Sequence, residues 1–312
     1  MTSAEEPAVA AGVVFDAAAL SVADVATALR ERGAVLIRRA FDPAPIEALE
    51  RAAIASSAAL ARMIGRPVND MPICFSDPPS DEAGGLLTWS GGAYPAFAGA
   101  LAASGMDRSW YYEGPRNYKI RFWENGASFP NVMLGLVLRS RLFEIAATYF
   151  GDDLVSPYSH NTVRYQAASI SDFSYSFHQD GSFHSRHPDE HAGLTIWTPF
   201  TPCGVDAPSL EVCPYRIDRI LPPPAGVAEP YLFIDDSVAR EACQDRFWRP
   251  VLDRGDVLMF DHFAVHRSAI DPGMSRTRYS ADIRLFAKDR LPAFARDSIG
   301  WLPKFPRSPG PA

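Results

Sequence analysis

His178, Gln179 and Asp180 set an imidazole and a carboxylate two residues apart, and a second imidazole follows far downstream at His266. On an extended strand, side chains alternate between faces, so the first pair would share one face. A second imidazole from a neighbouring strand would complete three donors on one side of a metal ion and leave the opposite side open. Two histidines and one carboxylate in that facial arrangement form the donor set of non-haem Fe(II) oxygenase centres. His-x-Asp recurs by chance, so the elements around it decide its meaning.

The first half of the chain reads as helical support. Ser21 is an N-cap with Asp24 three residues on, and Val22, Val25 and Leu29 form a short apolar stripe that stops before Gly33. The β-branched run 34–37 predicts a buried strand. Asp42-Pro43 opens a second helix with Ile46, Leu49, Ala53 and Ile54 on its apolar side. Residues 133–150 read as one helix closed by Gly151. Residues 64–130 carry many Gly, Pro and Ser among isolated aromatics, as functional lids do.

After residue 155 the texture changes. Short β-rich runs at 161–166, 173–178, 193–200, 208–213, 231–234, 256–260 and 277–286 alternate with Pro, Gly and Asp turns. The spacing suggests a fold that is mainly β with flanking α-helices, a sandwich or jelly roll with N-terminal helical support. A loose arm at 1–20 precedes a single domain over 21–300, with support and lid at about 21–155 and the barrel core at about 156–290. A Pro-rich tail follows at 301–312.

Composition narrows the partners. A hydrophobic share of 47% supplies a large core, and a formal net charge of −7 argues against a nucleic-acid backbone. No apolar run is long enough to span a bilayer, and residues 1–6 lack the basic flank of a signal peptide. The expectation is a cytoplasmic protein with a small-molecule partner and no membrane. Cys74, Cys203, Cys213 and Cys243 form no CxxC pair and read as reduced core thiols.

Five segments together resemble the phytanoyl-CoA dioxygenase-like branch of the Fe(II)/2-oxoglutarate oxygenases, over roughly residues 20–290. They are 32–38 with 41–43, the metal strand Ser176-Phe177-His178-Gln179-Asp180, the following strand 194–200, 255–260 leading to His266-Arg267-Ser268, and Arg278-Tyr279-Ser280-Ala281-Asp282. The resemblance implies a double-stranded β-helix, the jelly-roll or cupin-like barrel, with iron on His178, Asp180 and His266 and with 2-oxoglutarate and oxygen as co-substrates. The family's His-x-Ser context selects His266 over His262, and its Arg-x-Ser context selects Arg278 over Arg276 for the far carboxylate of 2-oxoglutarate. A planar guanidinium fork suits that carboxylate. Further co-substrate contacts implied by position are Ser268, Trp197, Thr195, Lys119 and one of Asn161, Thr162 and Arg164.

Alternation along the last strand adds an argument of its own. Arg278, Ser280, Asp282 and Arg284 share one face, and Tyr279, Ala281, Ile283 and Leu285 the other. A polar face turned into a barrel is costly unless a polar ligand sits there. Arg267, Arg276 and Arg284 read as solvated or salt-bridged.

The resemblance implies hydroxylation of an unactivated C–H bond, with release of succinate and carbon dioxide. Desaturation at the same iron site is the alternative, and a non-catalytic jelly-roll binding protein is the alternative of another class. A zinc hydrolase would ordinarily show HExxH spacing, which this chain lacks. Asp180 occupies the position that halogenases of the superfamily leave vacant for halide, which disfavours halogenation. One departure concerns 208–216, where Pro214 and Arg216 remain but the family's Gly, Ser and His do not; this weakens assignment to acyl-CoA substrates. The loops at 85–125 and 181–192, with Trp110, Tyr111, Tyr112 and Phe183, are the expected substrate walls, and His184, His187 and His191 read as a polar loop.

Overall fold

The computed structural model describes residues 12–64, 73–76, 86–89, 111–113, 118–121, 129–151, 153–156, 161–168, 176–184, 192–226 and 233–291. In chain order the elements begin with β1 (Val14–Asp16), α1 (Val22–Arg32), β2 (Ala34–Arg38) and α2 (Pro43–Ile64). Four short strands follow, β3 (Ile73–Ser76), β4 (Leu86–Trp89), β5 (Tyr111–Glu113) and β6 (Tyr118–Arg121). Next come α3 (Phe129–Leu138), α4 (Arg141–Phe150), β7 (Leu154–Val155), β8 (Thr162–Gln166) and α5 (Asp180–His184). The C-terminal part holds β9 (Gly193–Pro199), β10 (Ser209–Val212), α6 (Asp236–Ala242), β11 (Val257–Asp261), β12 (His266–Ala269) and β13 (Arg278–Ala287).

Local signals act where the sequence places them. Ser21 caps α1 by accepting from the Asp24 amide, and Gly33 ends the helix at φ +79°, a left-handed turn that glycine adopts without a Cβ clash. Val25 and Leu29 are buried as their spacing predicts.

Four expectations need correction. Residues 133–150 lie in two helices, because Ser140 accepts from the Leu142 amide at 3.3 Å and caps a fresh start. Ile54, expected on the apolar side of α2, is 49% exposed. Residues 14–16, part of the expected loose arm, form a parallel edge strand with β2, and Val13 before them is buried. The stretch 64–130 contains four strands, β3 to β6, that continue the large sheet beyond β8. Of the run at 231–234, residues 231–232 lie outside the described residues and 233–234 are not in a strand. Residues 1–11 and 292–312, most of the expected lid, and 185–191 also lie outside them.

The large sheet runs β1-β2-β11-β9-β13-β8-β3-β4-β6-β5, with β7 beside β13. A second sheet pairs β10 with β12. Alternation gives the large sheet two different faces. Leu194 and Ile196 of β9, with Ala281, Ile283 and Leu285 of β13, turn towards the helices and share one apolar cluster with Leu29, Ile46 and Ile145. Trp197, Leu258 and Phe260 turn the other way and pack on Leu210 and Val212 of the small sheet. Two sheets face to face, with helices backing the larger one, form the jelly roll expected. Cys203, Cys213 and Cys243 are free and buried. No helix of the described residues is long and apolar enough to cross a membrane.

Candidate metal centre

His266 opens β12 and exchanges two backbone hydrogen bonds with His178: His178 N–H donates to the His266 carbonyl at 2.9 Å, and His266 N–H donates back at 3.0 Å. Residues paired in this way sit directly opposite each other, so their side chains leave on the same side. The ring centroids are 4.1 Å apart. Asp180 arrives differently from the expectation. It is not on the strand but starts α5, a single turn of helix, so strand alternation does not align it.

The turn that delivers Asp180 is held by its neighbours. The Gln179 amide donates to the carbonyls of Phe263 at 2.7 Å and Arg219 at 2.8 Å, and accepts from the Leu221 N–H at 2.7 Å. Gly181 donates its N–H to the His262 carbonyl at 2.9 Å, an approach so close that a Cβ would sit 2.9 Å from the same oxygen. The outcome is compact. Donor atoms of His178, Asp180 and His266 all lie within 4.8 Å of one another, and all three residues are buried.

The imidazoles are poised as ligands. His178 Nδ1 is 2.8 Å from the Ser176 carbonyl, and His266 Nδ1 is 3.0 Å from that of Ala264. A carbonyl only accepts, so each Nδ1 carries the hydrogen and each Nε2 keeps its lone pair for a ligand. Burial, reinforced by the adjacent His266, lowers the His178 pKa to about 3. Burial also lowers that of His266, against the opposing pull of Asp180. Both rings are therefore neutral at physiological pH, the form a metal requires.

These donors line a cavity between the two sheets. Arg278 lines it too, at 2% exposure, whereas Arg276 is exposed on the outside. Arg278 donates to the Ser209 carbonyl at 3.1 Å, and its guanidinium lies 5.2 Å from the centre of the Trp197 ring. Ser268, Thr195 and Trp197 also face the cavity. Thr195 donates to Asp180 Oδ2 at 2.6 Å.

Other candidates are placed elsewhere. Asn161 is not on the cavity wall: its side chain accepts from the Arg284 backbone N–H at 2.8 Å and donates to Ser156 at 2.9 Å. His262 stands apart from the donor cluster, with Nδ1 3.3 Å from the backbone of Gly193. The backbone of Lys119 lies in β6, but its side chain is outside the described residues, as are the side chains of Trp110, Tyr111, Tyr112, Phe183 and His184 and all of His187 and His191.

Sequence reasoning read Arg284 as solvated or salt-bridged but did not name the partners in two ion pairs on the cavity wall. Arg284 pairs with Asp180 at 3.3 Å, and Arg164 pairs with Asp282. Alternation along β13 had already set Asp282 and Arg284 on one face with Arg278; what it could not name was their partners. Ser280, on that same face, is fully buried, and its hydroxyl has no hydrogen-bond partner. A buried orphan hydroxyl costs free energy unless a ligand satisfies it. Two neutral imidazoles and a carboxylate fit a ferrous ion, and the buried guanidinium of Arg278 on the same cavity wall fits the far end of a dicarboxylic acid.

No family model matches the chain, and no curated protein matches it in sequence. Among solved structures, EctD from S. alaskensis, crystallised with 2-oxoglutarate and 5-hydroxyectoine, has a TM-score of 0.50 at 17% identity, over 85% of this chain and 76% of that one. The non-haem α-ketoglutarate-dependent carbocyclase SnoK from nogalamycin biosynthesis has a TM-score of 0.49 at 15% identity, over 87% and 85%. The epimerase SnoN, in complex with Fe3+, α-ketoglutarate and nogalamycin RO, has a TM-score of 0.48 at 17% identity, over 85% and 83%. At 17% identity the likeness to EctD is one of fold alone.

Proposed function

We propose that the chain is a cytoplasmic Fe(II)- and 2-oxoglutarate-dependent oxygenase of the phytanoyl-CoA dioxygenase-like kind. It hydroxylates an unactivated C–H bond of a small molecule and releases succinate and carbon dioxide. The observation that carries this reading is that a buried His-Asp-His donor cluster and the buried Arg278 share one cavity. His178, Asp180 and His266 would hold the iron. Arg278, with Ser268 across the cavity, would hold the far carboxylate of 2-oxoglutarate. Trp197 fixes the guanidinium from beside it. Lys119 remains a candidate basic contact, and Asn161 acts through the β13 backbone it holds.

When bound, the metal supplies oxidising chemistry that amino-acid side chains lack. The chain supplies orientation and dryness: Leu210, Phe260 and Trp197 give the cavity apolar walls beside its charged groups. The Nδ1 bonds to Ser176 and Ala264 keep both imidazoles in one tautomer and orientation. The 2-oxoglutarate and 5-hydroxyectoine found with EctD support this choice of co-substrate and of hydroxylation.

The test is spectroscopic. Anaerobic addition of Fe(II) and then 2-oxoglutarate should produce a visible charge-transfer band, and Asp180→Ala should abolish or strongly weaken it. A wild-type protein that takes up iron and shows no such band would overturn the reading.

A further inference from the structure

Thr195 and Arg284 are directly paired across β9 and β13, so their side chains emerge side by side on the cavity face. Both reach the same atom. Thr195 Oγ1 donates to Asp180 Oδ2 at 2.6 Å, and Arg284 Nη2 and Nε approach that oxygen at 3.3 Å and 3.4 Å. Arg284 Nη2 lies 3.4 Å from Oδ1 as well, so the guanidinium braces the whole carboxylate and the short Thr195 bond singles out Oδ2. Arg284 itself is held firmly. Its N–H donates to Asn161 Oδ1 at 2.8 Å, its carbonyl accepts from Ser156 Oγ at 2.8 Å, and it is 5% exposed.

We infer that the cross-strand pair Thr195 and Arg284 is a positioning device that occupies Asp180 Oδ2 and restricts the carboxylate to metal ligation through Oδ1 alone. The inference rests on the iron site proposed above. Its consequence is a coordination count. Three protein donors and a chelating 2-oxo acid fill five of about six positions, so a second oxygen from Asp180 would take the last one. A carboxylate that is free to rotate chelates readily with both oxygens. Here one oxygen already accepts a short hydroxyl bond and faces a guanidinium charge, and turning it to the metal would strand both donors in a buried site. Thr195 and Arg284 thus keep the remaining position open.

The experiment uses the full chain loaded with Co(II), whose visible absorption reports a change of ligand. With saturating 2-oxoglutarate, added azide should displace water from the position left open in wild type and shift the Co(II) bands. Thr195→Val and Arg284→Met, with the second Asp180 oxygen in that position, should each blunt the azide-induced shift, and both should weaken Co(II) binding by roughly 10- to 100-fold, as loss of a hydrogen-bond partner to a ligand does. Thr195→Ser and Arg284→Lys, which keep the hydroxyl and the charge, should restore much of the wild-type shift. A merely structural role would lower the melting temperature without blunting that shift. A wild-type azide-induced shift in both Thr195→Val and Arg284→Met at saturating Co(II) would overturn the inference. That outcome is separable from failure of the oxygenase reading, which would appear as a missing Fe(II)–2-oxoglutarate band in the wild-type protein.

Discussion

Arg278 offers the sharpest quantitative test of the co-substrate site. Arg278→Met removes the guanidinium but retains most of the side-chain length, so the Trp197 ring keeps an apolar neighbour and the change leaves little cavity. Truncating one partner of a buried charged pair typically costs about 2–5 kcal/mol. The lower half of that range applies here, because Arg278 already spends an N–H on the Ser209 carbonyl and part of its charge on the Trp197 ring. A loss of about 3 kcal/mol corresponds to roughly 150-fold weaker 2-oxoglutarate binding. Calorimetric titration of 2-oxoglutarate into Mn(II)-loaded protein measures this without turnover. Metal content should stay near normal, because Arg278 is not among the three donors. Arg276→Ala, at an exposed position two residues away, should leave the titration unchanged. Wild-type affinity in Arg278→Met would refute the assignment and move the role to Arg164, the other guanidinium on that wall that does not touch Asp180.

Two further outcomes follow from the site. The folded-state pKa of His178 lies near 3, well below the ordinary value of 6.5, so below pH 6.5 the unfolded chain takes up a proton that the folded one refuses. This contribution to the stability of the metal-free protein is complete above pH 6.5 and is lost as pH falls. It declines by about 2 kcal/mol between pH 6.5 and 5. Urea unfolding at both pH values should show that decline in wild type and a smaller one in His178→Gln. Gln179→Leu strands the carbonyls of Phe263 and Arg219 and the Leu221 N–H in a buried turn, each worth roughly 1–3 kcal/mol when unpaired. Partial relaxation sets the expected loss at about 3 kcal/mol in the same unfolding assay, with weaker metal binding because Asp180 is the next residue; a loss under about 0.5 kcal/mol would show that the turn holds without it.

Much of the barrel could be read from residues close together in the chain. The cap at Ser21, the stops at Gly33 and Gly151 and the two-faced pattern of β13 are local properties, set by backbone periodicity and by side chains that compete for nearby amides. Ser140 carried the same kind of signal and was overridden in the reading by the apolar run around it. The lid region shows the opposite limit: its strands are short and set among Gly- and Pro-rich stretches, and the pairing of β3 with β8 leaves little imprint on composition.

For the candidate site, the residue types and their order were legible in the sequence: donor chemistry marks His-x-Asp, and the family resemblance picks out His266 and Arg278. Which atoms meet was decided only in three dimensions. The His178–His266 bridge, the helical turn under Asp180, the placement of Arg284 and Thr195 on one carboxylate oxygen and the diversion of Asn161 to a backbone all depend on register between strands far apart in the chain. That register comes from packing the whole sheet against its helices, and a shift of one residue would turn every one of these side chains to the opposite face.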